Sequence, residues 1–246
     1  MIIKDSKILV IGGGGIGCGV AYSLCKAGYN DLIVIEKNSD LASETTSQGA
    51  GLVGQLRDDI NRVHLAKWSV NVFDHLQANA KIKPEWNQVG SLRVALTEEK
   101  AIKFEKLRKT ALKAEVHAEW ISSKKAKEMW PFFDFTTASG VLWCKTDGYL
   151  SPPKLAKSYA AETKEMGGEI ATDITVEEII SSNGKVTGVK TNRGIISCDI
   201  LINAAGAHAW HVAKMAGLDL PIFPIRHEYL VSSNIENIYP NLPTIR

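Results

Sequence analysis

Apolar residues in this chain follow two rhythms. Short unbroken runs predict buried parallel strands at Ile8-Leu9-Val10-Ile11, at residues 31–35, and at Asp199-Ile200-Leu201-Ile202-Asn203. Helical spacing fills residues 16–27 between the first two. Residues 58–80 predict an amphipathic helix, with Val63, Leu65, Ala66, Val70, Val72, Phe73 and Leu76 on its apolar side and Pro84 closing the region. Residues 90–96 alternate like a strand, 97–114 form a charged helix, 122–130 a short helix, and 140–144 another strand. A helix at 153–166 stops at Gly167-Gly168. Strands at 174–180, 186–191 and 195–198 are punctuated by Asn183-Gly184 and Asn192-Arg193-Gly194, and a helix is expected at 207–216. Alternation resumes from Ile222 to Val231 and predicts a strand returning to a second domain. No closing helix or strand partner is expected after it, so this domain reads as cut short.

The fold class expected is therefore α/β. A dinucleotide-binding, Rossmann-like domain is built from residues 1–81 and 148–218. A second domain with a mixed antiparallel sheet, incomplete at its C-terminal end, uses residues 82–147 and 219–246. Strand and helix mix there without the regular strand–helix–strand rhythm of a parallel sheet.

Composition adds bounds. The 246 residues are 45% hydrophobic and 23% charged, ordinary for a globular protein with a large core. A net charge of +2 gives no reason to expect nucleic acid as a partner. Cys18, Cys25, Cys144 and Cys198 form no CxxC pair and read as buried thiols of a reducing, cytoplasmic compartment. The first strand begins too early for a signal peptide, and no apolar run reaches membrane-spanning length.

The chemistry concentrates behind the first strand. Gly12, Gly14 and Gly17 have the spacing of a dinucleotide-binding turn: Gly12 for the tight turn, Gly14 for backbone approach to a pyrophosphate, Gly17 for close helix–strand packing. The helix opening at Gly15, Ile16 and Gly17 offers N–H groups and a positive dipole end to phosphates. Glu36 ends the second strand, where an acid would hold ribose hydroxyls, and Lys37 follows it. The polar stretch 41–54 is either a flexible surface loop or a segment that lays hydroxyls and amides along an extended cofactor. Ala204-Ala205-Gly206 is a second place where backbone could approach that cofactor. His208 and His211 lie three apart on the helix after it, but no third ligand is evident and no metal is expected.

Taken in order, these parts resemble the FAD-dependent amine and amino-acid oxidoreductases of the D-amino acid oxidase type. Within that family the chain is most similar to sarcosine and dimethylglycine dehydrogenases. The stretches Ala50-Gly51-Leu52-Val53-Gly54-Gln55-Leu56-Arg57 and Pro224-Ile225-Arg226-His227-Glu228-Tyr229-Leu230-Val231 carry that likeness. The resemblance implies FAD as cofactor. Gly12, Gly14, Gly15, Ile16 and Gly17 would take its pyrophosphate, and Glu36 with Lys37 its adenosine ribose. Val176 would meet the adenine end through its backbone, and Ala205 and Gly206 would pass near the pyrophosphate or ribityl chain. Thr45, Thr46, Gln48, Gly51, Leu52 and Val53 would run toward the flavin ring. Family members are longer, so the chain is expected to be an N-terminal fragment or one part of a split enzyme, poorly active alone, with a partner chain completing the fold.

The implied reaction oxidises a small secondary or tertiary amine of the N-methylglycine kind. Hydride leaves the carbon beside nitrogen for the flavin, and the iminium product is hydrolysed. The substrate carboxylate needs a cation, and Arg57 is the first candidate, Arg226 the second, because a guanidinium fork donates two parallel hydrogen bonds. His227 and Tyr229, two apart on the expected strand, are candidates for the pocket wall. The sequence leaves the electron acceptor open. Two rival readings stand beside this one: a nicotinamide-dependent dehydrogenase, and a flavin-binding subunit without chemistry of its own. One departure from the resembled enzymes matters. They carry a histidine that bonds covalently to flavin where this chain has Gln48, and an amide nitrogen is a poor nucleophile, so FAD is expected to be held non-covalently.

Overall fold

The computed structural model describes residues 5–233, 235–236 and 238–246. Its elements begin with β1 (Ile8–Ile11), α1 (Gly15–Lys26), β2 (Leu32–Ile35), β3 (Leu52–Val53), α2 (Ile60–Asn79), β4 (Ser91–Ala95) and α3 (Glu98–Leu112). Next come β5 (Glu119–Ile121), α4 (Ser123–Met129), β6 (Gly140–Cys144), β7 (Gly148–Tyr149), α5 (Pro152–Glu165) and β8 (Glu169–Ala171). The chain continues through β9 (Val176–Ser182), β10 (Lys185–Thr191), β11 (Gly194–Ser197), β12 (Ile200–Asn203), a 3-10 turn (Gly206–His208), α6 (Ala209–Met215) and β13 (Thr244–Ile245). These elements form two units. One is Met1–Ala50, Ala80–Pro84 and Ser151–Tyr229; the other is Gly51–Asn79, Glu85–Leu150 and Leu230–Arg246.

The first unit is organised on a parallel sheet of order β12-β1-β2-β8. Every residue of β1 and β2 is buried, which is why both read as unbroken apolar runs. Alternation sends their side chains two ways. Ile8, Val10, Leu32 and Val34 pack with Ala21 and Cys25 of α1. Leu9, Ile11, Ile33 and Ile35 pack with Ile179, Val189 and Ile196 of the antiparallel sheet β11-β10-β9. The β9–β10 turn is Asn183-Gly184, both at positive φ, as a two-residue hairpin demands. Helix α1 also packs on α5, and Gly19 makes room for Tyr159, whose ring lies 5.1 Å from that of Tyr22. Ser151 caps α5, with Pro152 at its first position.

Strand β8 was not evident in the sequence. Its three residues are only partly covered and include Glu169, so they carry no apolar run. The expected strand across 221–231 does not form. These residues are exposed and without regular structure, with Phe223 84% and Leu230 90% accessible. Their alternation has no neighbouring strand to pair with among the described residues, and alternation without a ladder does not make a strand.

The second unit holds a mixed sheet of order β13-β4-β6-β5. Strand β6 pairs antiparallel with β4 and β5, and β13 runs parallel to β4. One core gathers Leu56, Val63, Leu107, Ala111, Leu142 and Cys144; another gathers Leu92, Ala126, Phe135 and Val141. Two expectations are corrected here. Residues 51–79, assigned by sequence to the first domain, belong to this unit, because Val63 of α2 is buried with Leu107 of α3 and Leu142 of β6. The closing stretch also has a strand partner. Thr244 and Ile245 pair with Ser91 and Leu92, and the Val94 N–H donates to the Arg246 carbonyl at 2.9 Å. All four cysteines are free and buried, and among the described residues no helix is long and apolar enough to cross a membrane.

Candidate functional site

The glycine turn joins β1 to α1 at the C-terminal end of the parallel sheet, where open α/β sheets place their ligands. Gly12 sits at φ 110°, and a Cβ there would strike the carbonyl of Ala204. A Cβ on Gly17 would strike the carbonyl of Gly12, so only glycine lets α1 start this close to β1. Gly14 differs: an added Cβ would crowd one side-chain atom, Thr46 Oγ1 at 3.1 Å, rather than packed backbone. No side chain caps α1 at Gly14, but Thr46 Oγ1 accepts the N–H of Gly15 at 3.0 Å.

Glu36 leaves the end of β2 and is 9% exposed. Its Oε2 accepts the Gly13 N–H at 2.8 Å and its Oε1 the Asn38 N–H at 2.9 Å. An ionised carboxylate has about four acceptor positions, so these two bonds leave others for a ligand's hydroxyls. Beside it, the Cys18 thiol lies 3.4 Å from the Gly13 carbonyl. Burial first, and the Glu36 charge second, push that thiol up to about 12, which keeps it neutral and inert.

A cavity of about 250 Å³ opens above this turn. Gly12, Gly14, Glu36, Lys37, Thr45 and Thr46 line one part of it; Val176, Ala205 and Gly206 line another. His208, His211 and Met215 complete the wall. Three charged or polar groups meet at its edge. Lys37 Nζ lies 2.6 Å from Glu44 Oε1, and His208 Nε2 lies 3.2 Å from Glu44 Oε2 and 3.2 Å from Lys37 Nζ. The hydrogen bond from Lys37 holds the Glu44 carboxyl below its usual range. Both side chains are about two-fifths exposed, so solvent screening keeps the pair weak.

Nine of the residues assigned by sequence to the cofactor thus share one cavity. The others lie elsewhere. Gly15 and Gly17 open α1, with Gly17 buried; Ile16 beside them is 75% exposed. Gln48 is exposed in the loop after Thr46 and does not line the cavity. Gly51 begins the second unit, where Leu52 and Val53 form β3 and pair with Tyr149 and Gly148. Arg57 is half-buried in that unit, its Nη1 donating to the Leu56 carbonyl at 3.1 Å. Arg226, His227 and Tyr229 lie in the exposed stretch that forms no strand, so His227 and Tyr229 share no strand face.

Sequence reasoning missed Gly13 as a donor to Glu36, and Glu44 as the acid between Lys37 and His208. The signal for Gly13 was its place inside the glycine run; nothing local marked Glu44. Among the described residues no group of three or more His, Cys, Asp or Glu could hold a metal ion.

Comparison with known proteins agrees with this geometry. The family described as FAD dependent oxidoreductase (DAO) matches residues 7–245. Two curated relatives cover nearly the whole chain. The 4-methylaminobutanoate oxidase (formaldehyde-forming) of Paenarthrobacter nicotinovorans is 30% identical over 98% of this chain and 29% of its own length. The mitochondrial dimethylglycine dehydrogenase of Homo sapiens is 29% identical over 99% of this chain and 28% of its own length. Among solved structures, the L-proline dehydrogenase of P. horikoshii superposes with a TM-score of 0.82 at 30% identity, covering 87% of this chain and 56% of that one. The chain thus spans less than a third of the length of these curated relatives. It belongs to the FAD dependent oxidoreductase family, DAO type, whose cofactor is FAD.

Proposed function

We propose that this chain is the FAD-binding portion of an oxidoreductase that oxidises a C–N bond of a small secondary or tertiary amino acid, such as sarcosine or dimethylglycine. The observation that carries this reading is the cavity in which Gly12, Gly14, Glu36, Val176 and Ala205-Gly206 converge. The residues fit FAD by their chemistry. Gly14 presents bare backbone on the cavity wall, where a Cβ would crowd Thr46 Oγ1, and Glu36 keeps acceptor positions beyond its two backbone bonds. Glu36 would hold the adenosine ribose, and its charge would repel a 2′-phosphate. The opening of α1 at Gly15, Ile16 and Gly17 would face the pyrophosphate. Val176 would meet the adenine, and Thr45 and Thr46 would run along the extended cofactor with Ala205 and Gly206.

Bound FAD supplies the redox chemistry, accepting hydride from the carbon next to nitrogen. The chain's own contribution is orientation and charge, with Arg57 as the cation for the substrate carboxylate. The substrate class is supported by the names of the relatives, since methylaminobutanoate, dimethylglycine and proline are all N-alkylated amino acids. Gln48 in place of a nucleophilic imidazole supports non-covalent binding.

A second reading is a flavin-binding subunit completed by another chain. It is favoured by the exposed apolar side chains of Phe223, Ile225, Leu230 and Val231. Turnover decides between the two. Purified protein supplied with FAD, sarcosine or dimethylglycine and an artificial electron acceptor is expected to retain flavin and to reduce the acceptor slowly. Flavin retention with no turnover of either amine would favour the subunit reading, and loss of all flavin would contradict both.

A further inference from the structure

The loop between β2 and β3 is pinned to the glycine turn on both sides of Glu44. The Ala42 N–H donates to the Gly13 carbonyl at 3.0 Å, and Thr46 Oγ1 accepts the Gly15 N–H at 3.0 Å. Between these anchors the half-exposed Glu44 side chain gathers donors from two segments of the chain. Its Oε1 accepts from Lys37 Nζ at 2.6 Å and from Asn38 Nδ2 at 3.4 Å. Its Oε2 lies 3.2 Å from Nε2 of His208, in the 3-10 turn after β12. Nε2 of a neutral imidazole either donates to Glu44 or accepts from Lys37, which is also 3.2 Å away, and it cannot do both. Donors therefore crowd a single carboxylate at the edge of the cavity.

The charges around the cavity conflict with its ligand. Among the described residues that line it, Glu36 and Glu44 are acidic, and Lys37 is the one lysine or arginine. The Lys37 hydrogen bond holds the Glu44 carboxyl below its usual range, so it is charged at neutral pH. FAD carries its negative charge on the pyrophosphate, and a second fixed anion beside it opposes binding. The conflict is removed if Glu44 turns outward. Its ion pair is screened by solvent and therefore weak, and the two backbone anchors need not move.

We propose that Glu44 is a displaceable internal anion: it pairs with Lys37 and His208 until the pyrophosphate of FAD takes both groups from it. The proposal rests on the cofactor site described above. Lys37 adjoins Glu36, the acid proposed for the adenosine ribose, and the phosphate is bonded to that ribose. The exchange gives Lys37 and His208 a phosphate partner and moves one negative charge out toward water. Glu44 thus sets how readily an anionic ligand enters, while a neutral nucleoside has no such exchange to make.

The test measures binding, not turnover. The cofactor-free full chain is titrated at low ionic strength with FAD, ADP and adenosine, as wild type, Glu44→Gln and His208→Ala. Glu44→Gln keeps the size of the side chain and removes its charge. It is expected to bind FAD and ADP about 2- to 5-fold more tightly, the scale of a solvent-screened ion pair, with adenosine unchanged. The gain should shrink as salt is raised. His208→Ala should weaken FAD and ADP by a similar factor and leave adenosine unchanged; it alters a half-exposed side chain and decides the matter if Glu44→Gln does not fold. FAD and ADP binding that is unchanged or weaker in Glu44→Gln, or an equal gain for adenosine, would overturn the inference and make Glu44 a brace of its loop. FAD and ADP binding unchanged in His208→Ala would overturn it too. A wild type that binds neither FAD nor ADP would contradict the cofactor site itself, and the proposal with it.

Discussion

The Glu36 carboxylate accepts the N–H of Gly13 at 2.8 Å, tying the end of the second strand to the glycine turn that follows the first. The acid therefore has a structural task as well as the ribose contact proposed for it. Glu36→Ala is expected to lower the stability of the cofactor-free protein by about 1–3 kcal/mol, since it strands a buried N–H. The same change should weaken FAD binding by about as much. Urea midpoints without FAD, and FAD titrations, measure the two effects separately. Unchanged urea stability would show that the Gly13 bond contributes nothing.

The glycines separate into two kinds by what surrounds them. Gly17→Ala would press its Cβ on the Gly12 carbonyl, with a cost of about 1–3 kcal/mol or failure to fold. Gly14→Ala would meet only the Thr46 hydroxyl, at 3.1 Å, a side chain that needs to shift by only a few tenths of an ångström, so the fold should persist while FAD affinity falls about ten-fold or more. Circular dichroism with FAD titration checks this contrast. A Gly14→Ala protein that folds and binds FAD normally would remove the turn from the cofactor site.

Acid sensitivity has one well-defined source in the second unit. Glu105 takes both Arg108 Nε and Nη2, at 2.8 and 2.9 Å, and the Trp120 indole N–H at 2.8 Å. The Arg108 bonds first, then the Trp120 bond, lower its pKa from the usual 4.5 to about 2. A lowered pKa in the folded state stabilises the fold above 4.5, and that stability is lost as pH falls toward about 2. The side chains are partly exposed, so the gain is about 0.2–1 kcal/mol. Glu105→Gln should be less stable than wild type near neutral pH, with the gap closing in that window. A gap that stays constant to low pH would contradict the assignment.

Much of the first unit was legible because its sequence signals are local. The runs Ile8 to Ile11 and Leu32 to Ile35 are buried on both faces, and both faces leave their mark in an unbroken run. Gly12, Gly17 and Glu36 follow from the turn that these strands impose. What escaped detection depends on distant residues. Glu44 and His208 meet across 164 positions, and nothing near either one announces the other. Strand β13 has two residues and exists because Ser91 and Leu92 lie beside it. The stretch 221–231 errs the other way: it alternates, yet pairs with no strand, so alternation alone misled.

Non-covalent cofactor binding is the outcome expected with Gln48 in place of histidine, and acid precipitation of FAD-loaded protein checks it. Flavin is expected in the supernatant. Fluorescence that stays with the denatured polypeptide on a gel would show a covalent bond.

The central claim, that this cavity holds FAD, is tested most directly by titrating cofactor-free chain with FAD and, in parallel, with NAD, following flavin fluorescence or heat. Saturable, one-to-one FAD binding is expected, weakened in both Glu36→Ala and Gly14→Ala, with NAD bound far more weakly. NAD binding without FAD binding, or FAD affinity untouched by both substitutions, would contradict the account.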